Sequence, residues 1–287
     1  MKMTSECFPC FFKLANRLMT HIKLPENKKI TIMKDISKFL SEIKKYNNSP
    51  AYYSTFMYNI IYKKAKIKDP YKKLKQDYNS KVLKIYPILQ KIVKNSSDPI
   101  YTSLKLSAIG NTIDYGVETS LDFSLHIKEI ENLKFIKDDY KKFIKLLNNS
   151  NKIMLLADNA GEIIFDKLLI ETINSYYKNL KIIIAVRDKP VINDVTIKDI
   201  KNIKFPQNAQ IISNGSQMVG TFLNDCSKIF LSHFNSSDII ISKGQANFES
   251  LNNLNRKNIF FLFKSKCEVV SKYLNVPINI FVFFLDF

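Results

Sequence analysis

Apolar residues recur along this chain in two rhythms, and the change between them falls near the middle. In the first half the spacing is helical. Ile85, Leu89 and Ile92 repeat three or four residues apart, with Pro87 among them predicting a kink or a first turn. Asp98 and Pro99 read as the N-cap and first position of a helix over residues 100–109, closed by Gly110. A stripe of Ile136, Tyr140, Phe143 or Ile144, and Leu147 predicts a further amphipathic helix that runs out into the polar residues 148–151. Beyond that point the apolar residues come in short unbroken runs, at 153–157, 182–186, 210–213, 239–241 and 259–263, separated by longer segments with helical character. Such alternation is the pattern of βα units around a buried parallel sheet. The expected class is therefore α/β: a Rossmann-like parallel-sheet domain over residues 151–287, preceded by an α-helical N-terminal region over residues 1–150.

Composition narrows the functional classes. With 46% hydrophobic and 24% charged residues, the 287-residue chain has the make-up of a globular protein. Its apolar runs fall far short of the roughly 20 residues that span a bilayer, so no membrane partner is expected. A net charge of +18 raises nucleic acid as a partner, but Arg17, Arg187 and Arg256 are the only arginines among 44 basic residues. Nucleic-acid surfaces lean on arginine forks, so the charge is read as solvated lysine on helix faces and no nucleic-acid partner is expected. Four cysteines are too few for a disulfide-built fold, and Lys13 and Arg17 interrupt the segment where a signal peptide would be apolar. Both features predict a cytoplasmic location. Cys7 and Cys10 form a C-x-x-C that suits half a zinc site, a redox pair, or two semi-buried thiols at a helix start.

In an open parallel sheet, ligands bind beyond the carboxyl ends of the strands. The residues that follow the apolar runs here are unusually polar. Asp158, Asn159, Ala160, Gly161 and Glu162 follow the first run; Arg187, Asp188, Lys189 and Pro190, then Asn193 and Asp194 before another expected helix, follow the second. Asn214, Gly215 and Ser216 follow the third, and Lys243, Gly244, Gln245, Ala246 and Asn247 follow the fourth. Taken singly, Asp158 or Asp194 reads as a helix N-cap, the glycines as turn residues and Lys243 as a solvated lysine. Together, Asp158, Asn159 and Asp194 offer hard oxygen ligands suited to Mg²⁺ or Mn²⁺, with Co²⁺ and Ni²⁺ as further candidates. The helix beginning near Gly161 would direct N–H groups at an anion, and Lys243 and Arg187 would complement phosphate charge. The chain has no G-x-x-x-x-G-K-[ST] and no G-x-G-x-x-G. It also lacks a second aspartate two residues after Asp158, which favours metal-activated water over an aspartyl nucleophile.

The strings running from Asp158 to Glu162, from Arg187 to Asp194 and from Lys243 to Glu249 resemble the damage-control phosphatase family, in its stand-alone archaeal and bacterial branch. The likeness extends to Cys7 and Cys10, to residues 109–114 and to Lys266 and Cys267. The resemblance implies a helical region packed on an α/β domain, with a divalent metal at Asp158, Asn159 and Asp194. It implies hydrolysis of small, damaged or surplus phosphometabolites, including sugar phosphates and phosphopantetheine-type compounds. Lys243 is then expected to meet the substrate phosphate with Glu162 nearby, and Asn111 and Asp114 to approach from the helical region. Arg187, Gly161, Gly215, Ser216 and Gln245 complete the expected substrate-binding set. Ala246 departs from the family's usual glycine, and the apolar residues 281–287 depart from its polar terminus. Two other activities are weighed against this one. An S-adenosylmethionine-dependent protein carboxyl methyltransferase is disfavoured by the single glycine, Gly161, after the first strand. A non-enzymatic polyanion-binding protein would draw on the positive charge alone.

Overall fold

Each apolar run of the second half forms a strand. The computed structural model describes residues 1–111 and 133–285. The first half supplies α1 (Cys7–His21), α2 (Glu26–Ser41), α3 (Pro50–Ala65), α4 (Lys72–Lys94), α5 (Pro99–Gly110) and α6 (Tyr140–Leu147). After these come β1 (Lys152–Leu156), α7 (Glu162–Tyr176), β2 (Lys181–Val186), β3 (Ala209–Ser213), α8 (Lys228–Ser236), β4 (Ile239–Lys243), α9 (Gln245–Leu251), β5 (Ile259–Lys264), α10 (Glu268–Leu274) and β6 (Phe281–Leu285). The six strands lie in the order β3-β2-β1-β4-β5-β6, parallel except for β6, which runs antiparallel to β5. The chain class is α/β, as the periodicity predicts.

Successive strand residues feed opposite faces of the sheet. Ile153, Leu155, Ile182, Ile184, Ile239, Ile241, Phe260 and Leu262 face a core shared with α4, α5, α6 and α7. Met154, Leu156, Ile183, Ala185, Ile240, Phe261 and Phe263 face a second core under α8, α9 and α10. Packing therefore crosses residue 150 without a break. The helices α1 to α3 build a third cluster of their own, and it takes in Val191 and Val219 from loops at the carboxyl edge of the sheet. Tyr62 of α3 accepts a hydrogen bond from the Ile192 amide at 2.8 Å, and Thr55 one from the Val219 amide at 2.9 Å. The helical region thus lies against the sheet edge where the polar strand-end residues collect.

Two local expectations are revised and two are narrowed. Pro87 lies inside α4, which excludes the first-turn reading; it is exposed, so water can satisfy the carbonyl its ring leaves free. Gly110 ends α5 as expected and also serves close helix approach: a Cβ there would lie 2.8 Å from the Phe165 ring of α7. Ile136 is outside α6, and its amide instead donates to the Phe281 carbonyl of β6 at 3.1 Å. Between β2 and β3 there is no α-helix, only a 3₁₀ turn over Ile197–Ile200. A Thr196–Asp199 capping box opens that turn.

Candidate active site

Strand order reverses direction at β1: β2 and β3 lie on one side of it, β4 and β5 on the other. The crevice between the carboxyl ends of β1 and β4 is thus the topological switch point, where ligands bind in such sheets. Asp158 and Asn159 leave β1 there, and Gly244 leaves β4.

The residues that converge form a closed polar set. Asp158 Oδ2 accepts from Asn111 Nδ2 at 2.9 Å and from Asn159 Nδ2 at 2.7 Å. The same two amides donate to Glu162 Oε2, at 2.8 and 2.9 Å. Asp194 joins from the β2–β3 connection, where it bridges Asn159, and the Val195 amide donates to the Asp158 carbonyl at 2.9 Å. Asn159 Oδ1 accepts from Asn193 Nδ2 at 2.7 Å. Gly244 makes the approach feasible, because an added Cβ would stand 2.1 Å from Asp158 Oδ2. Burial, then the charges of Asp194 and Glu162, push the Asp158 carboxyl up to about 8. Asp194 is also pushed up by burial, and Arg187 pulls it back down.

Two expected substrate cations are instead internal. Lys243 is fully buried, and its ammonium donates to Glu162 Oε1 and Asp166 Oδ1, both at 2.6 Å, and to the Ser107 carbonyl at 3.0 Å. Those contacts use all three of its N–H bonds. The reason is positional: Lys243 is still part of β4, so its side chain leaves across the sheet into the α5 and α7 layer. Arg187 is likewise buried, donating to Asp194 Oδ2 at 2.8 Å, Thr221 Oγ1 at 3.1 Å and Asn247 Oδ1 at 2.9 Å. Its guanidinium orients Asp194 within the molecule.

The α7 terminus also differs from expectation. Its N-cap Gly161 has φ 78°, and its amide donates to Asn79 Oδ1 of α4 at 2.6 Å, while the Ala160 amide donates to the Asn193 carbonyl at 3.0 Å. Those N–H groups are engaged within the protein. Gly215 and Ser216 stay within the β3 loop. A Cβ on Gly215 would meet Ser227 at 2.6 Å, and Ser216 bonds Asn214, Met218 and, through its carbonyl, Asp188. Gln245 bonds Glu249 at 2.9 Å, Cys267 Sγ at 3.4 Å and the Lys266 amide at 3.0 Å. Ala246 fits as part of α9, packed on the α1–α3 cluster. Asp114 lies outside the described residues. Cys7 is buried and Cys10 lies at the surface with its thiol partly covered; that partial covering, followed by the charges of Cys267 and Cys7, pushes the Cys10 thiol up.

One residue emerges that the strand-end survey passed over. Lys266 follows β5, is exposed, and donates from Nζ to the Asn111 carbonyl at 2.8 Å. Its charge is the leading influence holding the Asp158 carboxyl down. Unlike Lys243, it has donors to spare among the described residues at the mouth of the set. Extending the strand-end rule to the fifth apolar run finds it.

In charge terms, Asp158, Glu162, Asp166 and Asp194 are opposed at close range by Lys243, Arg187 and Lys266, which leaves the set net acidic. A cation would complement that excess. Its ligands would be Asp158, Asp194 and Asn159, and the buried Asn111 Oδ1, which has no hydrogen-bond partner among the described residues, is a further hard oxygen beside them. Among the described residues no three His, Cys, Asp or Glu side chains are grouped as ion ligands. A site here would therefore need a carboxamide beside the two carboxylates. The donors fit a hard ion.

A family model described as the damage-control phosphatase ARMT1-like domain matches residues 3–279. The chain belongs to this family. A damage-control phosphatase from Pyrococcus horikoshii, PH1575, is 31% identical over 278 residues, covering 96% of each chain. A damage-control phosphatase from Archaeoglobus fulgidus is 29% identical over 290 residues, covering 97% of each. The crystal structure of a DUF89 family protein (PH1575) from Pyrococcus horikoshii covers 100% of both chains with a TM-score of 0.92 and 30% identity. The protein is accordingly a phosphatase with a family fold along its whole length. Family membership supports metal dependence. None of its described helices is long and apolar enough to cross a membrane.

Proposed function

We propose that this phosphatase hydrolyses small phosphate monoesters, of the sugar-phosphate or phosphopantetheine type, at the β1–β4 crevice. The carrying observation is the convergence of Asp158, Asn159 and Asp194 beside the partly free ammonium of Lys266. Mg²⁺ or Mn²⁺ held by Asp158, Asn159 and Asp194 would supply Lewis-acid polarisation of the phosphoryl group and of the attacking water. Lys266 binds the phosphate oxygens and offsets their charge in the transition state. Lys243 fixes Glu162 through one carboxylate oxygen, leaving the other turned to the Asn111 and Asn159 amides to orient water. Ser107 holds Asp166, the second counter-ion of Lys243, through a 2.6 Å hydrogen bond.

The methyltransferase alternative gains no support from the loop after β1, whose Ala160 and Gly161 amides are engaged by Asn193 and Asn79. The test is a phosphate-release screen over sugar phosphates, nucleotides and phosphopantetheine compounds, with Mg²⁺, Mn²⁺, Co²⁺, Ni²⁺ and no metal. Turnover should require metal and should vanish in Asp158→Asn while the fold persists. Undiminished metal-stimulated release by that variant would refute the assignment.

A further inference from the structure

Behind the candidate metal ligands, and absent from every role assigned so far, lies a buried polar network on α4. Lys75 and Asn79 stand four residues apart on one face of that helix, 0% and 6% exposed. Asn79 Oδ1 accepts from the Gly161 amide at 2.6 Å, and its Nδ2 donates to the Asp199 carbonyl at 2.8 Å. Lys75 Nζ pairs with Asp69 at 3.0 Å and Asp199 Oδ2 at 2.9 Å. Asp199 Oδ2 in turn accepts from the amide and hydroxyl of Thr196, at 2.8 and 2.7 Å. Gly161 is two residues from Asn159, and Thr196 two residues from Asp194. One turn of α4 therefore grips both loops that carry the metal-binding oxygens.

The grip has work to do at Gly161. With φ 78° and ψ −55°, that residue occupies the rare γ-turn conformation, which only surrounding contacts maintain. Its amide opens α7 and is held from outside the loop, by Asn79. Asp158, three residues back, is pressed against Gly244, so a small relaxation of the turn displaces its carboxylate.

We infer that Asn79, held in place by Lys75 and Asp199, is a positioning residue that sets the spacing between the Asp158–Asn159 and Asp194 loops and so the affinity for the divalent ion. This rests on the metal site proposed above. The network touches neither substrate nor ion and acts only through the two loops.

The test is calorimetric titration of the full chain with Mn²⁺ alone, alongside thermal melting, for wild type, Asp158→Asn, Asn79→Ala, Asn79→Ser and Asn79→Asp. Loss of an outer-shell partner weakens metal binding by about 10–100-fold. Folded Asn79→Ala or Asn79→Ser should weaken Mn²⁺ about tenfold; Asn79→Asp keeps an acceptor for the Gly161 amide but loses the donor to the Asp199 carbonyl, so it too should bind Mn²⁺ more weakly than wild type. If Asn79→Ala does not fold, Asn79→Ser decides. Should Asp158→Asn abolish Mn²⁺ binding while the folded Ala or Ser variant binds as wild type, the positioning role is overturned and the metal site stands. Should Asp158→Asn itself bind as wild type, the metal site falls, and this inference with it.

Discussion

Replacing Gly244 by alanine tests the site at its tightest point. The backbone there has φ 80° and ψ 153°, a region open essentially to glycine alone. Adopting it with a side chain costs about 1–3 kcal/mol. The new Cβ would stand 2.1 Å from Asp158 Oδ2 and 2.3 Å from its Cγ, where ordinary contact begins near 3.4 Å. The carboxylate must recoil by more than 1 Å, and it is the shared acceptor of the Asn111 and Asn159 amides. A misplacement of about 1 Å can cost on the order of 100-fold in rate. Gly244→Ala should therefore lose about two orders of magnitude in kcat/KM for phosphate release and weaken Mn²⁺ binding in calorimetry. Its melting temperature should fall by about 2–4 °C for each kcal/mol lost. Gly215→Ala is the control: at φ 77° its Cβ meets Ser227, not Asp158, so it should lower the melting temperature and spare Mn²⁺ affinity. Wild-type turnover and Mn²⁺ affinity in folded Gly244→Ala would refute the placement of Asp158 at the reacting centre.

Lys266→Met should lower kcat/KM about 100-fold with an unchanged melting curve, and a loss below about threefold would remove Lys266 from the phosphate site. Lys243→Met should instead destabilise the fold by about 3–5 kcal/mol, since Glu162 and Asp166 lose their buried counter-ion; a wild-type melt would contradict this. The pH response follows from Asp158. With its folded value raised to about 8 from 3.8, the native metal-free state holds a proton that the unfolded chain has shed. Metal-free stability should thus be highest below that window and decline as pH rises through it. Mn²⁺ affinity should climb over the same range and level off above about 8, with proton release seen as a buffer-dependent heat. Flat affinity from pH 5 to 8 would remove Asp158 as an ionising ligand. Asp98→Ala, which deletes the 2.9 Å cap on the Tyr101 amide, should cost about 1 kcal/mol in denaturant melts without altering Mn²⁺ affinity.

Much of the fold was legible because burial on both faces leaves a strand sequence continuously apolar. The five runs became β1 to β5 with their ends shifted by only one or two residues. The Asp98–Pro99 start of α5 was equally plain, since a cap is a local signal. What escaped depends on neighbours remote in sequence. Gly110 does end α5, but its second role, letting the Phe165 ring of α7 lie against the helix, is not visible in the sequence. Lys243 and Arg187 read as free cations because spacing reports which strand end a residue occupies, not which face its side chain leaves by. Asn79 gave no signal, because one asparagine in a helical stretch says nothing of the amide it meets from α7.

The rim of the sheet bears on how the chain is made. Residues 136–139 belong to the early half of the polypeptide, yet they stitch onto β6 through the Ile136 and Asp139 amides, and Asp139 Oδ2 accepts from the Leu285 amide. During synthesis that early segment has no strand to meet, and the outer edge of β5 stays bare, until residues 281–285 have left the ribosome. An unpaired strand edge is a template for sticking to other chains. The nascent protein keeps that edge open until β6 has emerged, and it is that antiparallel strand which ends the exposure.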